Sequence, residues 1–342
     1  MTSATPLVLS PNYVSQSYPA GGAAARFRGL DQLVATSPED WIGSATERFG
    51  QPGVGFSMLP DGRSLRDAIE NSPADFLGPD HVAAFGDDLG ILVKLLDSSK
   101  RLVVHAHPNR DFARTHFGCA HGKTEAWIVL EARPGAEVYA AFTRDVGREE
   151  LRVWVDEQRV SDMLDNLHTI PVATGSTVLI PAGLPHAIGD GILVVELQEP
   201  TDFSIMLEQG EFPNGDLGLG WDVALECVDR EEWSTQRLAR LVGKQGSTSG
   251  RLLPVEADPF FRATLTRGAD EETIEEGLAI LVVISGEGKL EGPFAGAPLA
   301  IAKGDTILLP YAAGPVTCHG DAEVIVCRPP APGALSPARP LL

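Results

Sequence analysis

Apolar runs of a few residues alternate with Gly, Pro, Asp and Ser along most of this chain, a rhythm that suits strands and tight turns. Ile91 to Leu96 and Leu102 to His105 predict two β segments, with Asp97 to Lys100 as the turn between them. Ala126 to Leu130, Ala136 to Ala140, Thr177 to Ile180 and Ile192 to Val195 continue the pattern. Strands this closely spaced predict a sandwich or barrel. Residues 1 to about 25 read as an arm or first strand. Helical spacing is confined to Ser64 to Glu70, a turn or two at Ser161 to Asn166, and an insert made by Asp222 to Val228 and Glu231 to Leu241. Gly243 to Gly250 is the linker candidate. Strand-like segments resume at Phe261 to Leu265, Leu278 to Ile284 and Ala322 to Val326, and Pro329 to Pro340 is a Pro-rich tail.

One internal repeat organises the pattern. Gly175 to His186 and Gly304 to Pro315 align without gaps, each a turn, a buried strand, a Pro and a second turn. Pro315 occupies the His186 position of the second copy. Two related β modules are therefore expected, one able to bind a metal and one not. The expected boundaries are 1–210 for the first module with its metal and active site, 211–249 for the helical insert and linker, and 250–342 for a degenerate second module.

Charge and composition narrow the function classes. The chain has 342 residues, enough to bury a full core. A net charge of −20 argues against nucleic acid, whose binding needs a basic face. An apolar run of about 18 residues, the length a membrane span needs, is missing, so no membrane partner is expected. The N-terminus lacks the basic start and apolar core of a signal peptide. The 4 cysteines form no close pair and read as reduced thiols, so the expected location is cytoplasmic.

The candidate chemistry is a metal site. In a strand, residues i and i+2 share a face, so His105 and His107 can converge on one point. Lys123 and Glu125 repeat that spacing on the next strand, and His186 completes the set from its turn. A pair of strand histidines alone is more often packed or at the surface. Three imidazoles and a carboxylate in apolar strand surroundings are not explained that way. Such donors suit one divalent ion, Zn²⁺ first, and would also accept Fe²⁺, Mn²⁺, Co²⁺ or Ni²⁺.

These residues also carry a family resemblance. Gly175, Pro181, Gly183 and His186 stand at the spacing of the second motif of the cupin superfamily. The wider set (Ile91 to Asp97, His105 to Pro108, Gly122 to Trp127, Pro181 to Ile188 and Glu196 to Gln198) is similar to type I mannose-6-phosphate isomerase. Trp41 and Thr46-Glu47 match that family's N-terminal segment more weakly. The resemblance covers most of 35–210 and, through the second module, the remainder.

The resemblance implies an all-β protein with a helical insert, built from two double-stranded β-helix (cupin) barrels of which only the first has a complete metal site. It implies an intramolecular oxidoreductase of carbohydrate metabolism: a metal-dependent aldose–ketose isomerase interconverting mannose 6-phosphate and fructose 6-phosphate, or a related sugar, through a cis-enediol. In that family Zn²⁺ sits on a Gln, two His and a Glu; His105 takes the place of the Gln, and His107, Glu125 and His186 match the others. Lys123 is placed to steady the developing enediolate oxygen, with a salt bridge at the barrel mouth as its structural alternative. Glu196 and Asp202 are the candidate bases, against a reading as solvated strand-end carboxylates.

The resemblance breaks at two positions. Met206 stands where the family has an Arg needed for catalysis, and Val103 where it has a phosphate-contacting Ser. Arg110 or Arg114 could substitute, unless they are exposed turn charges. The alternatives are a cupin enzyme for a different or unphosphorylated sugar, and a non-catalytic metal-containing sugar sensor. With aromatic residues at only 6%, no stacking platform for a long polysaccharide is evident, and a small sugar or sugar phosphate is the expected partner. The oligomeric state stays open.

Overall fold

The apolar runs form strands, and the strands form four antiparallel sheets. A computed structural model describes residues 4–16, 18–30, 37–210, 214–244, 246 and 248–334. In chain order the first-half strands are β1 (Leu7–Val8), β2 (Tyr13–Val14), β3 (Glu39–Ile42), β4 (Leu92–Ser98), β5 (His105–Ala106), β6 (Glu125–Ala132), β7 (Glu137–Phe142) and β8 (Leu167–Pro171). They continue as β9 (Ser176–Ile180), β10 (His186–Ile188), β11 (Ile192–Gln198), β12 (Ile205–Met206) and β13 (Val242–Lys244). The rest are β14 (Gly250–Arg251), β15 (Arg262–Arg267), β16 (Thr273–Ile274), β17 (Ala279–Ser285), β18 (Glu287–Glu291), β19 (Leu299–Ala302), β20 (Thr306–Leu309), β21 (Val316–Gly320) and β22 (Glu323–Arg328).

The sheet orders expose the internal repeat. A seven-stranded sheet runs β13-β9-β6-β11-β4-β3-β2 and a five-stranded sheet runs β12-β5-β10-β7-β8. In the second half a six-stranded sheet runs β1-β20-β17-β22-β15-β14 and a four-stranded sheet runs β16-β21-β18-β19. Thus β9-β6-β11-β4 recurs as β20-β17-β22-β15, and β5-β10-β7-β8 recurs as β16-β21-β18-β19. The N-terminal arm joins the two halves, because β1 pairs with β20 while β2 pairs with β3.

Period-2 alternation decides which side chains enter the first half. On β5 and β10, Ala106 and Ala187 pack with Leu151, Trp154 and Val155 of the helix Arg148–Asp156, outside the five-stranded sheet. His105 and His186 therefore face the opposite way, into the space between the two sheets. One apolar core links residues of the five-stranded sheet (Val138, Ala140, Ile188), the seven-stranded sheet (Ile128, Val178, Val195) and the outer face of the six-stranded sheet (Ile280, Val282, Ile325). A separate core, with Leu281, Leu290 and Cys318, fills the second half.

Several segments differ from the expectation. Among the helices not anticipated are Arg110–Phe117 and Arg148–Asp156. The first begins at Asn109, whose side chain accepts from the Phe112 N–H, and the second lays Leu151, Trp154 and Val155 on one face. The insert is less helical than its periodicity suggests, with only Trp221–Ala224, the 3₁₀ turn Leu225–Cys227 and Thr235–Ala239. The linker candidate is flanked by strands: β13 adds to the open edge of β9, and β14 pairs with β15. Residues 245 and 247 of that stretch, and 335–342 of the Pro-rich tail, lie outside the described residues. No helix among the described residues is long and apolar enough to cross a membrane.

Candidate metal centre

Three of the four predicted ligands meet as imidazoles. His105 lies directly opposite His186 in the β5–β10 pairing, and the ligating nitrogens of His105, His107 and His186 all lie within 4.8 Å of one another. Gly183 explains why the turn before His186 reaches the site. Its N–H donates to the His107 carbonyl at 2.7 Å, and its φ of 91° lies in the region that favours glycine. Chain segments on either side of the cluster are thereby tied together.

Each ring is held by its other nitrogen. Nδ1 of His105 lies 2.8 Å from the Val103 carbonyl, Nδ1 of His107 2.8 Å from the Phe203 carbonyl, and Nδ1 of His186 2.7 Å from the Leu184 carbonyl. A carbonyl only accepts, so each Nδ1 carries a proton and donates, which turns each Nε2 toward the cluster. Burial, reinforced by His186 and His107, holds His105 well below the ordinary imidazole range. Burial and the Lys123 ammonium push His107 down to about 3. Both rings are neutral, ligand-ready bases at neutral pH.

Glu125 faces the same point. Its Oε2 lies 2.9 Å from His107 Nε2 and its Oε1 lies 3.3 Å from His186 Nε2. These are acceptor atoms facing acceptor atoms, and His186 Nε2 and Glu125 Oε2 are buried without a hydrogen bond. Only a cation between them relieves that arrangement, and Lys123 partly does so, its Nζ 3.3 Å from Glu125 Oε2 and 3.1 Å from His107 Nε2. Burial alone would raise the Glu125 carboxyl, but the Lys123 ammonium beside it holds it well below the usual range. Trp127 Nε1–H donates to Glu125 Oε1 at 3.1 Å and fixes the carboxylate plane. The donor set fits a divalent ion.

A pocket of about 700 Å³, including its open mouth, reaches this cluster from one side. His105, Lys123, Glu125, Glu196 and Asp202 all line it, so every predicted catalytic side chain shares one space with two predicted ligands. Burial and the nearby Glu125 charge push Glu196 up to about 7. Burial likewise raises Asp202.

Comparison with known proteins gives this pocket its context. No protein-family model matches the chain. A mannose-6-phosphate isomerase of Streptococcus mutans is 27% identical over 311 residues, 87% of this chain and 90% of its own length. Mannose-6-phosphate isomerase ManA of Bacillus subtilis is 26% identical over 245 residues, 70% of this chain and 75% of its own. These likenesses support a divergent protein of the type I mannose-6-phosphate isomerase kind. The fold agrees: the crystal structure of the mannose 6-phosphate isomerase from Bacillus subtilis superposes with a TM-score of 0.74 at 22% identity, over 95% of this chain and 99% of that one. A putative mannosephosphate isomerase from Archaeoglobus fulgidus gives 0.74 at 20% identity, over 96% and 98%.

Within this family frame, the two divergent positions both line the pocket. Val103 stands two residues before His105, and Met206 pairs across the strand with His105. Neither expected substitute replaces the missing Arg. Arg110 turns instead to Glu199 at 2.5 Å and to the Pro259 carbonyl at 3.1 Å, while Arg114 pairs with Asp111 at the surface. The arginine that lines the pocket is Arg101.

The sequence reading passed over a second polar cluster beside the ligands. Trp127, Glu196, Lys94 and Trp41 are successive cross-strand neighbours on the inner face of the seven-stranded sheet. Lys94 is 2% exposed, its Nζ 3.2 Å from Glu39 and 3.7 Å from Glu196, and Glu39 also accepts from Tyr18 Oη–H at 2.5 Å. A lysine inside the apolar run Ile91 to Leu96 was the available signal, since a buried ammonium needs a counter-charge.

Proposed function

We propose that this protein is a metal-dependent aldose–ketose isomerase, acting on a mannose- or fructose-type sugar by proton transfer through a cis-enediol. The observation that carries the reading is the shared pocket: unprotonated imidazole nitrogens and Glu125 converge at one side of a space that Lys123, Glu196 and Asp202 also line. Similarity to named mannose-6-phosphate isomerases at about a quarter identity supports the reaction class.

His105, His107, Glu125 and His186 would hold the divalent ion, zinc by preference for this nitrogen-rich set, and the bound ion supplies a Lewis acid for the developing enediolate oxygen. Lys123, its ammonium already beside the cluster, holds positive charge next to the same oxygen. Glu196 takes the proton from C2 of the open-chain aldose, giving the cis-enediol once O1 is protonated. It returns the proton to C1 as O2 gives up its own, which completes the ketose. A carboxyl with its pKa near 7 is matched to both halves of that exchange. Asp202, in the same pocket and raised by burial, is positioned for the hydroxyl protons.

The recurring strand order supports two cupin modules, one over residues 1–210 with the site and one over 250–342 without it. A cytoplasmic location fits an enzyme of central sugar chemistry with four free thiols. The test is turnover: zinc-loaded protein in D₂O with mannose and fructose, and with their 6-phosphates, followed by NMR. Interconversion with deuterium entering at C1 or C2 is expected. Loss of neither carbon-bound proton from any of the four compounds would refute the isomerase.

A further inference from the structure

We infer, building on the isomerase reading, that the pocket selects an uncharged sugar and discriminates against a phosphate ester. The three cations that line the pocket are all engaged. Lys94 faces Glu39 and Glu196 at 3.2 and 3.7 Å, and Lys123 faces Glu125 at 3.3 Å. Arg101 makes a bidentate pair with Glu208 at 2.7 and 2.8 Å, and Glu208 is itself fixed by the Val104 N–H at 2.9 Å. A phosphate dianion could recruit one of these side chains only by displacing a carboxylate that would then be left uncompensated.

The unspent group is of the opposite kind. Asp202 makes no hydrogen bond or ion pair with the described residues. Free carboxylate oxygens accept from sugar hydroxyls, which are donors, and repel phosphate oxygens, which are acceptors only. Around Arg101 the wall is apolar, formed by Leu102, Val103, Ile188 and Met206. The hydroxyls of Tyr18 and Ser204 line other parts of the pocket, and among the described lining residues no guanidinium is free for a phosphate.

The test separates substrate class from reaction class. Calorimetric titration of the zinc-loaded full chain would use mannose, fructose and glucose, each with and without the 6-phosphate. At least one free sugar is expected to bind tenfold or more tightly than its phosphate. Equal or tighter binding of the phosphates, or no binding of any free sugar, overturns the inference. Turnover by NMR is read separately: selectivity without turnover sinks the isomerase and leaves the selectivity standing, whereas turnover of the phosphates alone does the reverse. Glu208→Gln, which frees Arg101, should raise phosphosugar affinity at least tenfold and make binding sensitive to inorganic phosphate. If that variant does not fold, Met206→Arg supplies the cation instead. A folded variant with no such gain counts against the inference.

Discussion

His105 and His186 stand directly opposite one another across two paired strands, their ring centroids 4.1 Å apart, with each Nδ1 donating to a carbonyl two residues earlier in its own chain segment. One strand register thus aims two ligands at one point. His105→Ala or His186→Ala should weaken metal binding more than the 10- to 100-fold typical of outer-shell changes, roughly 1,000-fold. Equilibrium dialysis with zinc checks this. The exposed-helix variant His116→Ala should bind as the parent does.

Glu196 sets the expected pH profile. Its pKa is pushed up to about 7 by burial and by Glu125, so below that pH it is protonated and cannot act as a base. The rate constant kcat/KM for isomerisation should rise about tenfold per pH unit below about 7 and level off above it. Glu196→Gln should abolish turnover while metal content stays unchanged. A pH–rate series on both proteins decides the point.

Lys94 is held between Glu39 and Glu196 with almost no solvent contact. Lys94→Met leaves two buried carboxylates without their cation, a loss of about 3–5 kcal/mol at pH 8. The loss should shrink as pH falls. Without the lysine, the folded-state pKa of Glu196 rises further above its unfolded value, so the folded state takes up more protons and gains stability on acidification. Denaturation midpoints at pH 8 and pH 6 measure the difference.

Gly183 holds the His186 turn against the His107 strand. A Cβ there would meet the Cys227 carbonyl oxygen at 3.1 Å, on a backbone with a φ of 91°. Gly183→Ala should cost about 1–3 kcal/mol. It should also loosen zinc binding, because both histidines it connects would shift. Chemical denaturation and a zinc titration on the same variant test both halves of the expectation.

Much of this architecture is written locally in the chain. The strands from Ala126 to Leu130, Thr177 to Ile180 and Leu278 to Ile284 follow from apolar runs bounded by turn residues, and each forms part of a strand in the structure. The repeat of Gly175 to His186 at Gly304 to Pro315 places β9 and β20 at equivalent positions in their sheets. The candidate ligands were legible for the same reason: side-chain period 2 and a Gly-Pro-Gly turn are local properties that chemistry-bearing residues inherit.

The sequence by itself determined the β-rich class, the repeat and the residues that meet in the candidate metal centre, because each rests on spacing within a few residues. Tertiary structure alone decided what surrounds them. Lys94 looked like one polar residue in an apolar run, and only the pairing of β3, β4 and β11 brings it to Glu39 and Glu196. Arg101 and Glu208 are separated by |i−j| = 107, and no local pattern foretells that the pocket's arginine is already neutralised. Gly243 and Lys244 had the composition of a linker and became part of a strand because β9 left an open edge beside them. Electrostatic partnership and edge pairing depend on which distant segments meet, and that is set by the packing of whole sheets.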